Sequence, residues 1–128
     1  MFYVISAYSK DHTDLENAVR HGVLLQALQD ISTKGNLPKP IECIGCYNSN
    51  LEESILVCVV DEAELLDLAH NFGQESVLYV SAGHGTLIYL NDGREENIGQ
   101  WREVSAEEAR ASGNYTFVTE TDKYFVCR

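Results

Sequence analysis

The run Ser54-Ile55-Leu56-Val57-Cys58-Val59-Val60, followed at once by Asp61 and then by Leu65, Leu68, Ala69 and Phe72, limits what this chain can fold into more than any other stretch. From Glu53 to Val60 it carries the strongest apolar strand signal in the sequence. Asp61 then offers a side-chain oxygen to the unpaired N–H groups of a helix start, with Glu64 three residues on in the capping-box position. Gly73 closes the helix after Phe72. A strand that feeds directly into an amphipathic helix is a unit of a layered domain, in which helices cover one face of a sheet.

The rest of the chain follows the same grammar. Phe2 to Tyr8 alternates with both faces largely apolar, which predicts an interior strand. Thr13-x-x-Glu16 has the form of a capping box and opens a helix that should run to about Ile31. Its apolar positions split, with Leu15, Val19 and Val23 on one side and Leu24, Leu28 and Ile31 on another. That predicts a bend near Gly22, or a helix covered on two sides. Ser32 to Pro40, which holds both prolines, reads as an irregular loop. Ile41 to Tyr47 is a strand, joined by the turn Asn48-Ser49-Asn50 to an antiparallel partner at Glu53 to Val60. Ser76 to Val80 and Thr86 to Leu90 form a hairpin around Ser81 to Gly85, and Asn91-Asp92-Gly93 turns into a strand at Glu95 to Val104 that Gly99 interrupts. A short helix opens at Ser105, and Tyr115 to Thr119 pairs with Lys123 to Cys127 around Glu120-Thr121-Asp122. The expected architecture is therefore α+β: one domain over 1–128, with a ferredoxin-like split β-α-β-β-α-β core in 1–80 and a C-terminal extension of hairpins and a short helix in 81–128.

A chain of 128 residues can bury one core without disulfide staples, so Cys43, Cys46, Cys58 and Cys127 read as reduced thiols. No stretch has the length and apolarity of a membrane span, and the opening Met-Phe-Tyr-Val-Ile lacks a basic leader, so the expected location is the cytoplasm, that of the host if the protein is phage-encoded. The net charge of −11 is unevenly placed. From Pro40 to Gly93 there is no Lys or Arg, against nine acids: Glu42, Glu52, Glu53, Asp61, Glu62, Glu64, Asp67, Glu75 and Asp92. Such a surface repels nucleic acid and anionic membrane and is drawn to basic surfaces. Asp61, Glu62 and Glu64 are accounted for by the helix dipole. Glu42, Glu52, Glu53, Asp67, Glu75 and Asp92 remain as a candidate binding face for a basic protein groove of the kind that holds nucleic acid. Tyr47, Trp101, Tyr115 and Tyr124 are candidate interface anchors.

Recognisable chemistry is sparse. Cys43-Ile44-Gly45-Cys46 has no second cysteine pair to complete a zinc site, and on a regular strand positions 43 and 46 face opposite ways. His84-Gly85-Thr86 resembles one half of the signature of the two-histidine phosphoesterases, but His12, His21 and His70 supply no second copy. No catalytic residue, metal or cofactor is therefore expected.

Ala7-Tyr8, Asn17, Glu53-Ser54-Ile55-Leu56-Val57 and Phe72-Gly73-Gln74 resemble, over about 3–80, a family of small bacterial and phage proteins of unknown function. That family shows an Ala-aromatic-Asn opening, a Glu-Ser-aromatic-Leu-Val strand and a Phe-Gly-Gln helix end; the present chain departs at Ser9 and Ile55. The resemblance implies a small phage accessory protein. With the charge pattern, it makes the expected function a non-enzymatic, acidic interaction module, an anti-defence inhibitor binding a basic host protein. The alternative is a small nucleotide- or phosphodiester-acting enzyme using His84, with a pocket near the Glu53, Gln74 and His84 segments. A structural or oligomerising module is a third reading.

Overall fold

The computed structural model describes residues 1–128. Its strands are β1 (Phe2–Ile5), β2 (Ile41–Tyr47), β3 (Asn50–Val57), β4 (Ser76–Ser81), β5 (His84–Tyr89), β6 (Glu95–Val104), β7 (Tyr115–Val118) and β8 (Lys123–Cys127). Three helices join them: α1 (Asp14–Lys34), α2 (Glu62–Asn71) and α3 (Ala106–Ser112). Every helix start is capped by the residue its sequence offers, but the reciprocal capping box expected at Asp61 with Glu64 does not form. Thr13 and Glu16 exchange side-chain and backbone bonds in a full capping box, while Asp61 accepts from Ala63 and Glu64, and Ser105 from Glu108.

The strand order is β1-β3-β2-β7-β8-β6-β5-β4, closed into a barrel in which every neighbour is antiparallel. This corrects the expectation of an open ferredoxin-like sheet. The β-α-β-β-α-β element order through residue 81 is present, and β2, β3, β1 and β4 stand side by side. What differs is the role of the C-terminal hairpins. Rather than lengthening one end of an open sheet, they pair with both of its edges, β7 with β2 and β5 with β4, and join to each other through β6 and β8. Closure leaves no edge strand exposed. The bend this demands falls at a register shift between Gly85 and Thr86, opposite Gly99, whose φ of 99° admits no ordinary side chain.

Two cores result. Outside the barrel, α1 and α2 cover β1, β3 and β4, burying Tyr3, Ile5, Ile55, Val57 and Val77 against Leu24, Leu28, Leu65 and Ala69. Inside it, Val4, Leu78 and Val80 meet Cys43 and Val118. The apolar character of both faces of β1 thus has its cause, since each face lines a different core. The two-sided stripe of α1 resolves otherwise than expected. The helix runs unbroken through Gly22 and buries Leu24 and Leu28, while Leu15, Val19 and Val23 remain 76%, 61% and 57% exposed.

Candidate active site

The registers of β1 with its two neighbours organise one end of the barrel. Ile5 stands opposite Ile55 of β3, and Val4 opposite Leu78 of β4. Carried on past the end of β1, the same antiparallel registers bring Glu53 to one side of Ala7 and Glu75 to the other. Side-chain bonds hold the three segments there. Ser6 Oγ donates to Glu53 O at 2.7 Å, the Tyr8 hydroxyl donates to Glu53 Oε2 at 3.2 Å, and Gln74 Nε2 donates to Tyr8 O at 3.2 Å. Burial, followed by the Glu53 carboxylate, raises the Tyr8 phenol above its ordinary pKa. From α1, Arg20 donates to the carbonyls of Ala7 and Phe72 and lies over the Phe72 ring, while Asn17 brackets Ser9 through the latter's N–H and carbonyl. The segments that carry the family resemblance, far apart in sequence, therefore meet at this rim. Arg20 is engaged by carbonyls, and neither Glu53 nor Glu75 has a Lys or Arg in ion-pair range.

The mouth of the barrel lies at the same end, because the C-termini of β1, β2 and β8 and the N-termini of β3, β4 and β7 all point there. Gly45 of β2 stands opposite Glu52 of β3, and its inward side is closely filled: a Cβ there would lie 3.0 Å from Ser54 Oγ, 3.6 Å from Tyr47 Cε2 and 3.8 Å from Glu52 Cγ, so the absence of a side chain lets these three approach the strand. Burial raises the Glu52 carboxyl above the usual carboxylate range. The ring of Tyr47 is 44% exposed, but burial of its hydroxyl end, with Glu52 beside it, pushes its pKa up to about 12. Behind Tyr47 lies a cavity of about 290 Å³, walled by Leu78, Leu87, Ile98, Trp101, Tyr115 and Phe125 among others. Cys127 also lines it, and burial holds that thiol at about 11.

The six acids expected as a binding face are spread over several elements. Glu52 faces inward near the barrel mouth, while Glu53 and Glu75 lie at the same end on the outer face, in line with Ile55 and Val77. Glu42 lies outside the barrel, 2.9 Å from His21 Nε2, and Asp67 is exposed on α2. Asp92 belongs to the β5–β6 turn, where its carboxylate accepts from Arg94 N at 2.9 Å. His84 opens β5 at the opposite end from Glu53 and Gln74, exposed and 2.6 Å from Asn97 Oδ1, so the three segments do not share a pocket. Cys43 is buried in the barrel, whereas Cys46 bonds Gly113 O beyond α3. Tyr47, Trp101 and Tyr115 do come together as cavity wall; Tyr124 stacks on Phe117 instead. Sequence reasoning passed over Gly45 and Tyr8 as site residues. A glycine inside a strand was the available signal for the first, and the Ala7-Tyr8 motif for the second.

Compared with known proteins, residues 3–128 match a family model described as the S-adenosylmethionine lyase family. No curated protein matches the chain. A match to a family defined by an activity overturns the expectation of a non-enzymatic interaction module of unknown function, and nothing in it supports a phage inhibitor. Of the readings made from the sequence, the enzymatic alternative is the one it favours, without the role given there to His84.

Proposed function

The chain belongs to the S-adenosylmethionine lyase family, and on that premise we propose that it cleaves a carbon–sulfur bond of S-adenosylmethionine without water as a reactant, at the mouth of the barrel. The substrate carries a sulfonium and an ammonium against one carboxylate, a net positive charge. The rim presents Glu53 and Glu75 on either side of Ala7 with no base paired to either, and this is the observation that carries the reading. An acidic rim on a chain of net charge −11 draws a cation inward. The carbon–sulfur electron pair goes to sulfur, giving a neutral thioether, while an oxygen of the substrate's own carboxylate bonds to the carbon that sulfur leaves and closes a lactone, so no water is consumed and the positive charge on sulfur disappears along the reaction coordinate. The apolar, aromatic wall behind the rim strips water from the sulfur, which favours that loss of charge. The carboxylates then serve best at the ammonium end, with Tyr8 and Gln74 fixing Glu53 and the end of β1 in place.

The test is direct. Purified protein incubated with S-adenosylmethionine should consume it, and in ¹⁸O-labelled water the fragments quenched early should carry no solvent oxygen. A Glu53→Gln, Glu75→Gln double variant should lose about 100-fold in kcat/KM, the scale of removing electrostatic groups from a site, with its melting temperature unchanged. Failure of the wild-type protein to consume the substrate, or solvent oxygen in the first-formed products, would overturn the proposal.

A further inference from the structure

We infer that the cavity inside the barrel is a binding site of its own, separate from the acidic rim, for an uncharged aromatic molecule of one or two rings without a polar edge. Its place in the fold is the first reason. The strand registers put Glu53 and Glu75 on the outer face of the β1–β3–β4 wall, in line with Ile55 and Val77, whereas the cavity lies on the inner face, against Leu78. The carboxylates that draw a cation thus stand on one side of the wall and the cavity on the other. Size is the second reason. Packed interiors keep few voids larger than a water molecule. This one measures about 290 Å³, at the small end of ligand pockets, which suits a ring or two rather than an extended chain.

The lining decides the class of occupant. No Lys, Arg, His, Asp or Glu borders the cavity, so a charged ligand would shed its water there and gain no partner in exchange. Burial raises the Cys127 thiol to about 11, which keeps that side chain neutral as well. Besides thiols and tyrosine hydroxyls, the polar side chains of the lining are Asn114 and Thr116, and Asn114 Oδ1 already accepts from the backbone N of Asn48 at 3.1 Å. A heterocycle with several ring nitrogens would bring more polar atoms than these two can pair. The walls favour a flat hydrocarbon instead. Trp101 and Phe125 lie nearly parallel, with centroids 4.8 Å apart and planes 13° off, and Leu78, Leu87 and Ile98 supply aliphatic surface around them. A planar ring entering past Tyr47 meets ring faces and edges at the spacing that aromatic contacts prefer.

Toluene is the probe, and the chain's single tryptophan is the reporter: Trp101 lines the cavity, and its indole N–H gives one resonance in a ¹H–¹⁵N spectrum. Toluene should move that resonance saturably, and calorimetry should find one site with a negative heat-capacity change. Benzoate and benzylammonium, the same ring with a charge of either sign, and adenosine should each bind at least about tenfold more weakly. Leu87→Phe puts a ring into the space and should weaken toluene by about tenfold; Leu87→Ala enlarges the space and should take naphthalene more tightly than the wild type does, which carries the test even where the larger side chain upsets folding. The Glu53→Gln, Glu75→Gln double variant should bind toluene as the wild type does. A Trp101 resonance unmoved at the solubility limit of toluene, an ion or adenosine that binds as tightly, or equal naphthalene affinity in the wild type and Leu87→Ala would overturn the inference. Loss of toluene binding in the double variant would make cavity and rim one site and overturn their separation. No S-adenosylmethionine is present in these measurements, so their result stands whether or not the protein consumes it.

Discussion

The wall formed by β1, β3 and β4 is packed differently on its two sides. Its outer face lies under α1 and α2 and belongs to a cluster of 11 buried residues, nearly all aliphatic. Its inner face contributes to a cluster of only 5 buried residues, which adjoins a cavity of about 290 Å³. An eight-stranded barrel is just wide enough for its own side chains to fill, or to hold one small ligand. Here Thr116 and the walls of Leu78, Leu87, Ile98, Trp101 and Phe125 leave space between them, while on the helix side Leu24, Leu28 and Leu65 pack with no exposure at all. The outer core holds the fold, and the inner one has given up packing for space.

That contrast breaks first under truncation. Leu28, on the inner side of α1, is completely buried, so Leu28→Ala should leave a void and cost about 2–5 kcal/mol in a urea titration. Leu87 is half-buried and already borders the cavity, so Leu87→Ala only enlarges existing space and should cost about 1 kcal/mol, the transfer term without a new void. Equal losses at the two positions would mean that the interior is packed as tightly as the helix layer.

What the sequence disclosed follows the same division. The caps at Thr13, Asp61 and Ser105 act within three residues of themselves, and all were legible. The two apolar faces of β1 were legible too, as the mark of a strand between two cores. Barrel closure was not, because it depends on pairings such as Ile44 with Phe117 and Trp101 with Cys127, in which strands far apart or out of order in the chain meet edge to edge. A hairpin that extends a sheet and one that closes it carry the same alternation. The acids misled for a related reason. An unbroken acidic stretch of sequence passes through a strand pair, a helix and two turns, which set Glu42, Asp67 and Asp92 apart and leave Glu52, Glu53 and Glu75 at one end of the barrel on opposite faces of its wall. Tyr47, Trp101 and Tyr115 were visible as aromatics, but only the closed barrel turns them inward to one cavity.

A smaller effect separates the two sides by function. Thr13 caps α1, the helix that covers the outer face, and its hydroxyl accepts from Glu16 N at 3.1 Å. Thr13→Ala should lower stability by about 1 kcal/mol while leaving kcat/KM for S-adenosylmethionine intact. If the cap variant instead lost kcat/KM in proportion to its stability, the helix layer and the barrel mouth would be one cooperative unit, and the assignment of separate tasks to the two faces would fall.

The smallest effect lies in the pH dependence of the inner face. Burial raises the Glu52 carboxyl above its ordinary pKa, so the folded protein keeps a proton there that the unfolded chain has already released. Between the ordinary carboxylate pKa and the raised one the native state binds more protons, and stability must fall as pH rises through that window, then level off above it. Glu52→Gln removes this slope, and the variant should gain on the wild type from the acid side of the window to the neutral side, as read from urea midpoints at a series of pH values. Lys and Arg are absent from Pro40 to Gly93, so no nearby base in this block offsets the cost of ionising Glu52. A wild-type slope identical to that of Glu52→Gln would put the carboxyl in water, and the barrel mouth would then lack the desolvated wall on which the cleavage of a sulfonium depends.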